Sequence, residues 1–248
     1  MNSKKETVKL MMGLISLTGL LAIVLMIALP LALIDRGEFD LKWLLIALGL
    51  IAVNDLLLTN IISLLPDAFP NADWNWQGKL LALTATLAIA ALPQFGWKNV
   101  GLTLRQAPGS LKAVLPLVAA YALFFVGIAL AFPTDDASIE TVAFQLTMPS
   151  LDEEAFYRGT LLFALYQAFG GQAEKFGVHW TWGALLSCIV FGLGHSFGYS
   201  DDGFAFDPIY FALTGGPSLL AVWLRLRTGS LLLPIAMHSV GNSLPLLL

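Results

Sequence analysis

The stretch from Leu10 to Ile34 runs for about 25 residues without a charge, and about 20 apolar residues suffice to span the hydrocarbon core of a bilayer. A run of that length fits a membrane-crossing helix and little else. Further apolar runs lie at Leu41–Leu65, Leu111–Phe132, Trp180–Phe197, Pro208–Leu224 and Ser230–Leu248, with a shorter one at Lys79–Phe95. Charged residues make up 12% of the 248, against about 25% in an ordinary soluble domain. The expected fold is all-α: a polytopic transmembrane bundle of about eight helices with seven or eight crossings. We expect a single membrane-embedded domain over residues 1–248, with less specific helices in 1–132 and the chemistry in the helices of 150–248.

The net charge of −4 is spread along the chain, and no basic cluster with interleaved aromatics marks a nucleic-acid surface. The single cysteine, Cys188, lies inside an apolar run and reads as packing. The basic start, Met1–Lys9, leads into an apolar run too long for a signal-peptide core, so the first run reads as a retained helix. Gly96 to Arg105, where Trp97, Lys98 and Arg105 alternate with apolar residues, reads as interfacial. Asp55, inside the second run, reads as a polar contact to another helix.

Against this background the charges at Asp152-Glu153-Glu154-Ala155-Phe156-Tyr157-Arg158 require a reason, since an ionisable group in a membrane segment costs roughly 2.5–3.5 kcal/mol even on the gentler scales. The preceding Pro149-Ser150 suggests a helix starting there, with Ser150 or Asp152 as the N-cap. At about 100° per residue, Glu154 and Arg158 lie about 40° apart, whereas Glu153 and Arg158 lie about 140° apart. Glu154 is therefore expected to pair with Arg158, with Tyr157 on the face of Glu153. Glu153 itself has no cation beside it on this helix. A carboxylate so placed in a low dielectric holds a proton more tightly than usual, which suits a general base near neutral pH.

Two later helices carry polar groups of the same kind. Phe191-Gly192-Leu193-Gly194-His195 puts a histidine on an apolar helix beside two glycines that let another backbone or a substrate come close. His238 and Asn242, four apart, share a helix face. His179 reads as a loop residue. If Glu153, His195, His238 and Asn242 converge, two chemistries can use them. His195, His238 and Glu153 could ligate a metal such as zinc, whose bound water attacks a carbonyl. Alternatively, Glu153 and His195 activate water directly while His238 and Asn242 donate to the oxyanion. No covalent nucleophile is recognisable.

The ordered set Glu153-Glu154-x-x-x-Arg158, Phe191-x-x-x-His195 and His238-x-x-x-Asn242 resembles the signature of the CPBP family. These intramembrane proteases include the type II CaaX prenyl endopeptidases and bacterial Abi-type proteins linked to bacteriocin processing or self-immunity. The approach to the last motif, from Arg227 to Leu231 and through Pro234, is similar to that family as well. The resemblance covers the C-terminal ~100 residues. It implies a membrane endopeptidase, metalloprotease or glutamate-type, in which Glu153 and His195 activate water and His238 with Asn242 stabilises the oxyanion. Glu154, Arg158, Phe191 and Tyr157 would support them. The asparagine is a poor zinc ligand and a good oxyanion donor, which favours the reading without a required cofactor and keeps zinc as the alternative. Expected partners are the lipid bilayer and a peptide or membrane-protein substrate, lipidated or not, with no nucleic acid. A proton-coupled transporter and a non-catalytic immunity or scaffold protein of the same fold are the competing functions.

The expected location is a multi-pass protein of the bacterial cytoplasmic membrane. With eight spans, Arg36, Lys42, Lys98, Arg105, Lys112, Lys175, Arg225 and Arg227 share one side, against Lys4, Lys5, Lys9 and Lys79, so the charge rule puts the N-terminus outside. If Lys79–Phe95 does not cross, the N-terminus moves inside and the split becomes ten to two.

Overall fold

Thr7–Ile34, Leu41–Asn60, Ser110–Ala131 and Pro208–Thr228 are the stretches of helix long and apolar enough to cross a membrane in the computed structural model. The structure describes residues 2–34, 38–134, 136–170 and 172–248, leaving out the side chains of residues 2–6, Ser63 and Gln172. Arg36, invoked above for orientation, lies outside the described residues, as do the side chains of Lys4 and Lys5. The described residues divide into two units, each assembled from two separate stretches: residues 1–66 with 161–222, and 67–160 with 223–248.

The first unit opens with α1 (Asn2–Ile34) and α2 (Leu41–Asp55), the latter prolonged by a π turn at Leu56–Asn60 and a 3-10 turn at Ile61–Leu64. Asp40 caps α2 by accepting from the Lys42 and Trp43 amides, satisfying donors a helix start would otherwise leave open. Later come α6 (Leu162–Ala168), a hairpin of β1 (Gln172–Lys175) and β2 (Val178–Thr181), α7 (Trp182–Ser196), and a hairpin of β3 (Phe197–Ser200) and β4 (Gly203–Phe206). Helix α8 (Pro208–Thr228) then begins, capped by Asp207. These two hairpins are small exceptions to the all-helical expectation, and His179 sits in β2 rather than in a loop.

Glycine sets helix spacing here. A Cβ on Gly183 would collide with the Leu165 carbonyl, so α7 approaches the α6 backbone directly. A Cβ on Gly192 would meet the Phe211 ring and lie 3.3 Å from the Gly215 Cα. Gly192 thus serves helix packing between α7 and α8, one of the two uses expected of it.

The second unit contains α3 (Trp76–Ala90), α4 (Ser110–Ala131), α5 (Ile139–Glu153) with a π-helical continuation at Glu154–Leu161, the end of α8, and α9 (Leu232–Leu247). Helix α9 packs on both α4 and α5, and α3 packs on α5. The start of α5 is pinned by the loop before α3. Glu140 accepts from the Asp73 amide at 3.1 Å and from the Trp76 indole at 3.1 Å, while Phe144 is flanked by the Trp74 and Trp76 rings. The bracket formed by residues 96–109 holds the α8–α9 turn: Ala107 N–H donates to the Thr228 carbonyl, Leu231 N–H to that of Gly101, and the Arg225 guanidinium to that of Asn99. Gly101, at φ +80°, has no room for a Cβ under Arg225.

Two expectations change. The charged stretch is not a helix start. Helix α5 begins with Ser138, whose hydroxyl accepts from the Thr141 amide, so Asp152 and Glu153 lie a dozen residues inside a continuous helical segment that accommodates Pro149. The runs Lys79–Phe95, Trp180–Phe197 and Ser230–Leu248 form helices of 15, 15 and 16 residues, or about 22–24 Å at 1.5 Å per residue, short of the ~30 Å hydrocarbon core.

On α1 and α4, Met26, Leu33, Leu123, Phe124 and Leu130 are each more than 60% exposed within this chain. Such faces are costly in water and ordinary against lipid tails.

Candidate active site

In the second unit, residues 150–158 of the α5 segment lie against α9, and the side chains form one connected polar cluster. Glu154 is the buried anchor, 1% exposed. Its Oε1 faces Arg158 Nη1 at 3.1 Å and accepts from His238 Nδ1 at 2.8 Å. The expected i,i+4 pair with Arg158 is therefore present. His238 Nε2 stands 3.9 Å from Glu153 Oε2, beyond direct hydrogen-bond range. One imidazole thus bridges the faces of the two glutamates, with Nδ1 on Glu154 and Nε2 toward Glu153.

Glu153 departs from the expectation. It has a cation beside it: Lys79 Nζ, from α3, lies 2.7 Å from Glu153 Oε1 and 3.0 Å from Asp152 Oδ2. A helical wheel relates residues of one helix only, and Lys79 arrives from another. Lys79 was missed as a site residue, and it entered the sequence argument only as a charge for orientation. Its signal was there to read, as a solitary cation in an apolar run with no acid at i±3 or i±4.

The cluster therefore runs Asp152, Lys79, Glu153, His238, Glu154, Arg158. It holds three carboxylates against two permanent cations. A hydroxyl pair stitches the same helices one turn away, Ser239 Oγ donating to Ser150 Oγ at 2.8 Å. Asn242, half-buried, follows His238 by one turn on α9. Tyr157 stacks edge-on against Phe156.

His195 belongs to the other unit, near the end of α7, and is exposed there. Its Nδ1 lies 2.8 Å from the Phe191 carbonyl, and its ring packs at 4.5 Å from that of Phe191. A carbonyl can only accept, so Nδ1 is the donor and Nε2 is the acceptor of the neutral ring. Phe191 thus supports His195 through both backbone and ring. Among the described residues no group of three or more His, Cys, Asp or Glu side chains is arranged to hold a metal ion.

Residues 136–244 match the family model described as type II CAAX prenyl endopeptidase Rce1-like. The match covers 109 of the 248 residues and makes this stretch similar to the Rce1-like endopeptidases. The match starts just before α5 and ends just after Asn242, so it takes in all three motifs on which the CPBP resemblance rested. The segments before residue 136, Lys79 among them, lie outside the Rce1-like match. No curated protein and no solved structure matches the chain. The Rce1-like match and the long apolar helices together point to an integral membrane protein.

Proposed function

We propose that the protein is a membrane-embedded endopeptidase that hydrolyses a peptide bond near the membrane, with Glu153 as the general base. The observation that carries this reading is the imidazole of His238 suspended between Glu153 and the Glu154–Arg158 pair. Arg158 neutralises Glu154, and Glu154 fixes the ring by accepting from Nδ1–H. That leaves Nε2 as the ring atom turned to the reacting groups. With Nδ1–H donated to Glu154, a second proton on Nε2 gives the ring a positive charge, which the surplus carboxylate of the cluster balances.

In the reaction Glu153 takes a proton from water as the water attacks the scissile carbonyl, and the His238 Nε2–H and the Asn242 amide donate to the developing oxyanion. Glu153 then passes its proton to the departing amine. For His195 the family resemblance alone implies a water-activating role. The substrate class follows the family: a peptide ending in a prenylated CAAX sequence, or a membrane-anchored peptide of related shape.

A panel of quenched fluorescent peptides tests this: a farnesylated CAAX peptide, its unprenylated counterpart and an unrelated apolar peptide. Purified wild-type protein is expected to cleave the farnesylated one, and Glu153→Gln to lose at least a hundredfold in kcat, in line with the ~10²–10⁴ contributed by a general base. Full activity in Glu153→Gln would remove the assignment.

A further inference from the structure

Lys79 is the one charged side chain on α3, and it reaches a site whose other members come from helices far along the chain. Its Nζ bridges two neighbouring carboxylates, Asp152 Oδ2 at 3.0 Å and Glu153 Oε1 at 2.7 Å. The two acids differ in what they expose. Asp152 is buried, 1% exposed, and its Oδ1 has no hydrogen-bond partner among the described residues. Glu153 keeps 12% exposure and turns its second oxygen toward His238.

A structural ion pair needs one acid and one base, and the Asp152–Lys79 pair already meets that description. The additional contact to Glu153 has a different consequence. It holds one carboxylate oxygen and thereby orients the other. We propose that Lys79, anchored by Asp152, is a positioning residue for Glu153: it fixes Oε1 so that Oε2 faces the reacting groups. This rests on the reading of Glu153 as the base.

The experiment uses the full-length protein in detergent or nanodiscs with the peptide panel above. Lys79→Met alone would strand the buried Asp152, so it is paired with Asp152→Leu, and Lys79→Arg is the conservative variant. The double variant K79M/D152L is expected to melt near the wild type and to lose about ten- to a hundredfold in kcat with KM changed less than threefold. Lys79→Arg is expected to recover most of the kcat. A folded double variant whose kcat matches the wild type overturns the role of Lys79, provided that Glu153→Gln is inactive. A fully active Glu153→Gln, or a wild type that leaves every peptide intact, overturns the peptidase reading and this one with it.

Discussion

Glu154 is ion-paired with Arg158 and accepts from His238 on α9 while excluded from water, and the balance of its partners predicts what substitution does. Replacing Arg158 with Ala leaves a carboxylate 1% exposed with His238 as its partner, and breaking a buried pair from one side costs about 3–5 kcal/mol. Arg158→Ala should therefore lower the thermal midpoint of the purified protein by many degrees, visible by differential scanning fluorimetry. Glu154→Gln keeps the shape and removes the charge, so it should fold near-normally. It also loosens the hold on the His238 ring, and about a tenfold or larger loss in kcat is expected, read on the farnesylated peptide. The pairing of Glu154 with Arg158 was legible from sequence because both residues sit on one helix at a spacing of four. The pairing of Glu153 with Lys79 was not, because its 74-residue separation follows no local period.

At the level of elements, α9 reaches the site because a glycine lets it. Gly241 lies between His238 and Asn242, and a Cβ there would come within 2.5 Å of the Tyr121 hydroxyl and 3.5 Å of Phe125 on α4. Gly241→Ala should displace α9 or Tyr121 and reduce activity about tenfold. Tyr121→Phe removes the colliding oxygen, so the double variant G241A/Y121F should recover part of the loss, a coupling that a double-mutant cycle measures. The apolar runs made the helices legible as elements, and their boundaries less so. Pro149 and Ser150 look like the approach to a helix, yet α5 is already eleven residues long at Pro149, because its start is held by Ser138 and by the clasp of Glu140 on residues 73–76. The π-helical turn at Glu154–Leu161 leaves no spacing signature in the sequence. It re-aims the side chains after Glu153, which is why angles drawn at 100° per residue hold for the first glutamate and only loosely for the residues beyond it.

Taken whole, the chain interleaves its two units: each combines an early stretch with a late one. The Rce1-like match at 136–244 contains the motif helices but neither α3 nor α4, so the matched region expressed alone lacks the Lys79 cation at Glu153 and one of the two helices against which α9 packs. Four helices of 20 to 28 residues with lipid-compatible faces predict that the full-length protein stays in the membrane pellet after alkaline carbonate extraction, which strips peripheral proteins. Appearance in the supernatant would contradict the membrane placement. The membrane class and the three motifs were legible because composition and short spacings survive without coordinates. The grouping of segments 67–160 and 223–248 was not, since it depends on which helices pack.

The Lys79–Asp152 bridge also bears on how the chain is made. Synthesis reaches Lys79 well before Asp152, 73 residues later, and at about 5–20 residues per second that gap lasts roughly 4–15 s. During it the lysine has no carboxylate partner from α5. Its position in the first turn of α3 resolves the difficulty, because a long side chain at a helix end can extend its ammonium into the headgroup region while the stem stays among apolar groups. Asp152 and Glu153 then enter beside a positive charge already waiting for them, and the acids that the finished protein depends on never have to cross into the hydrocarbon alone.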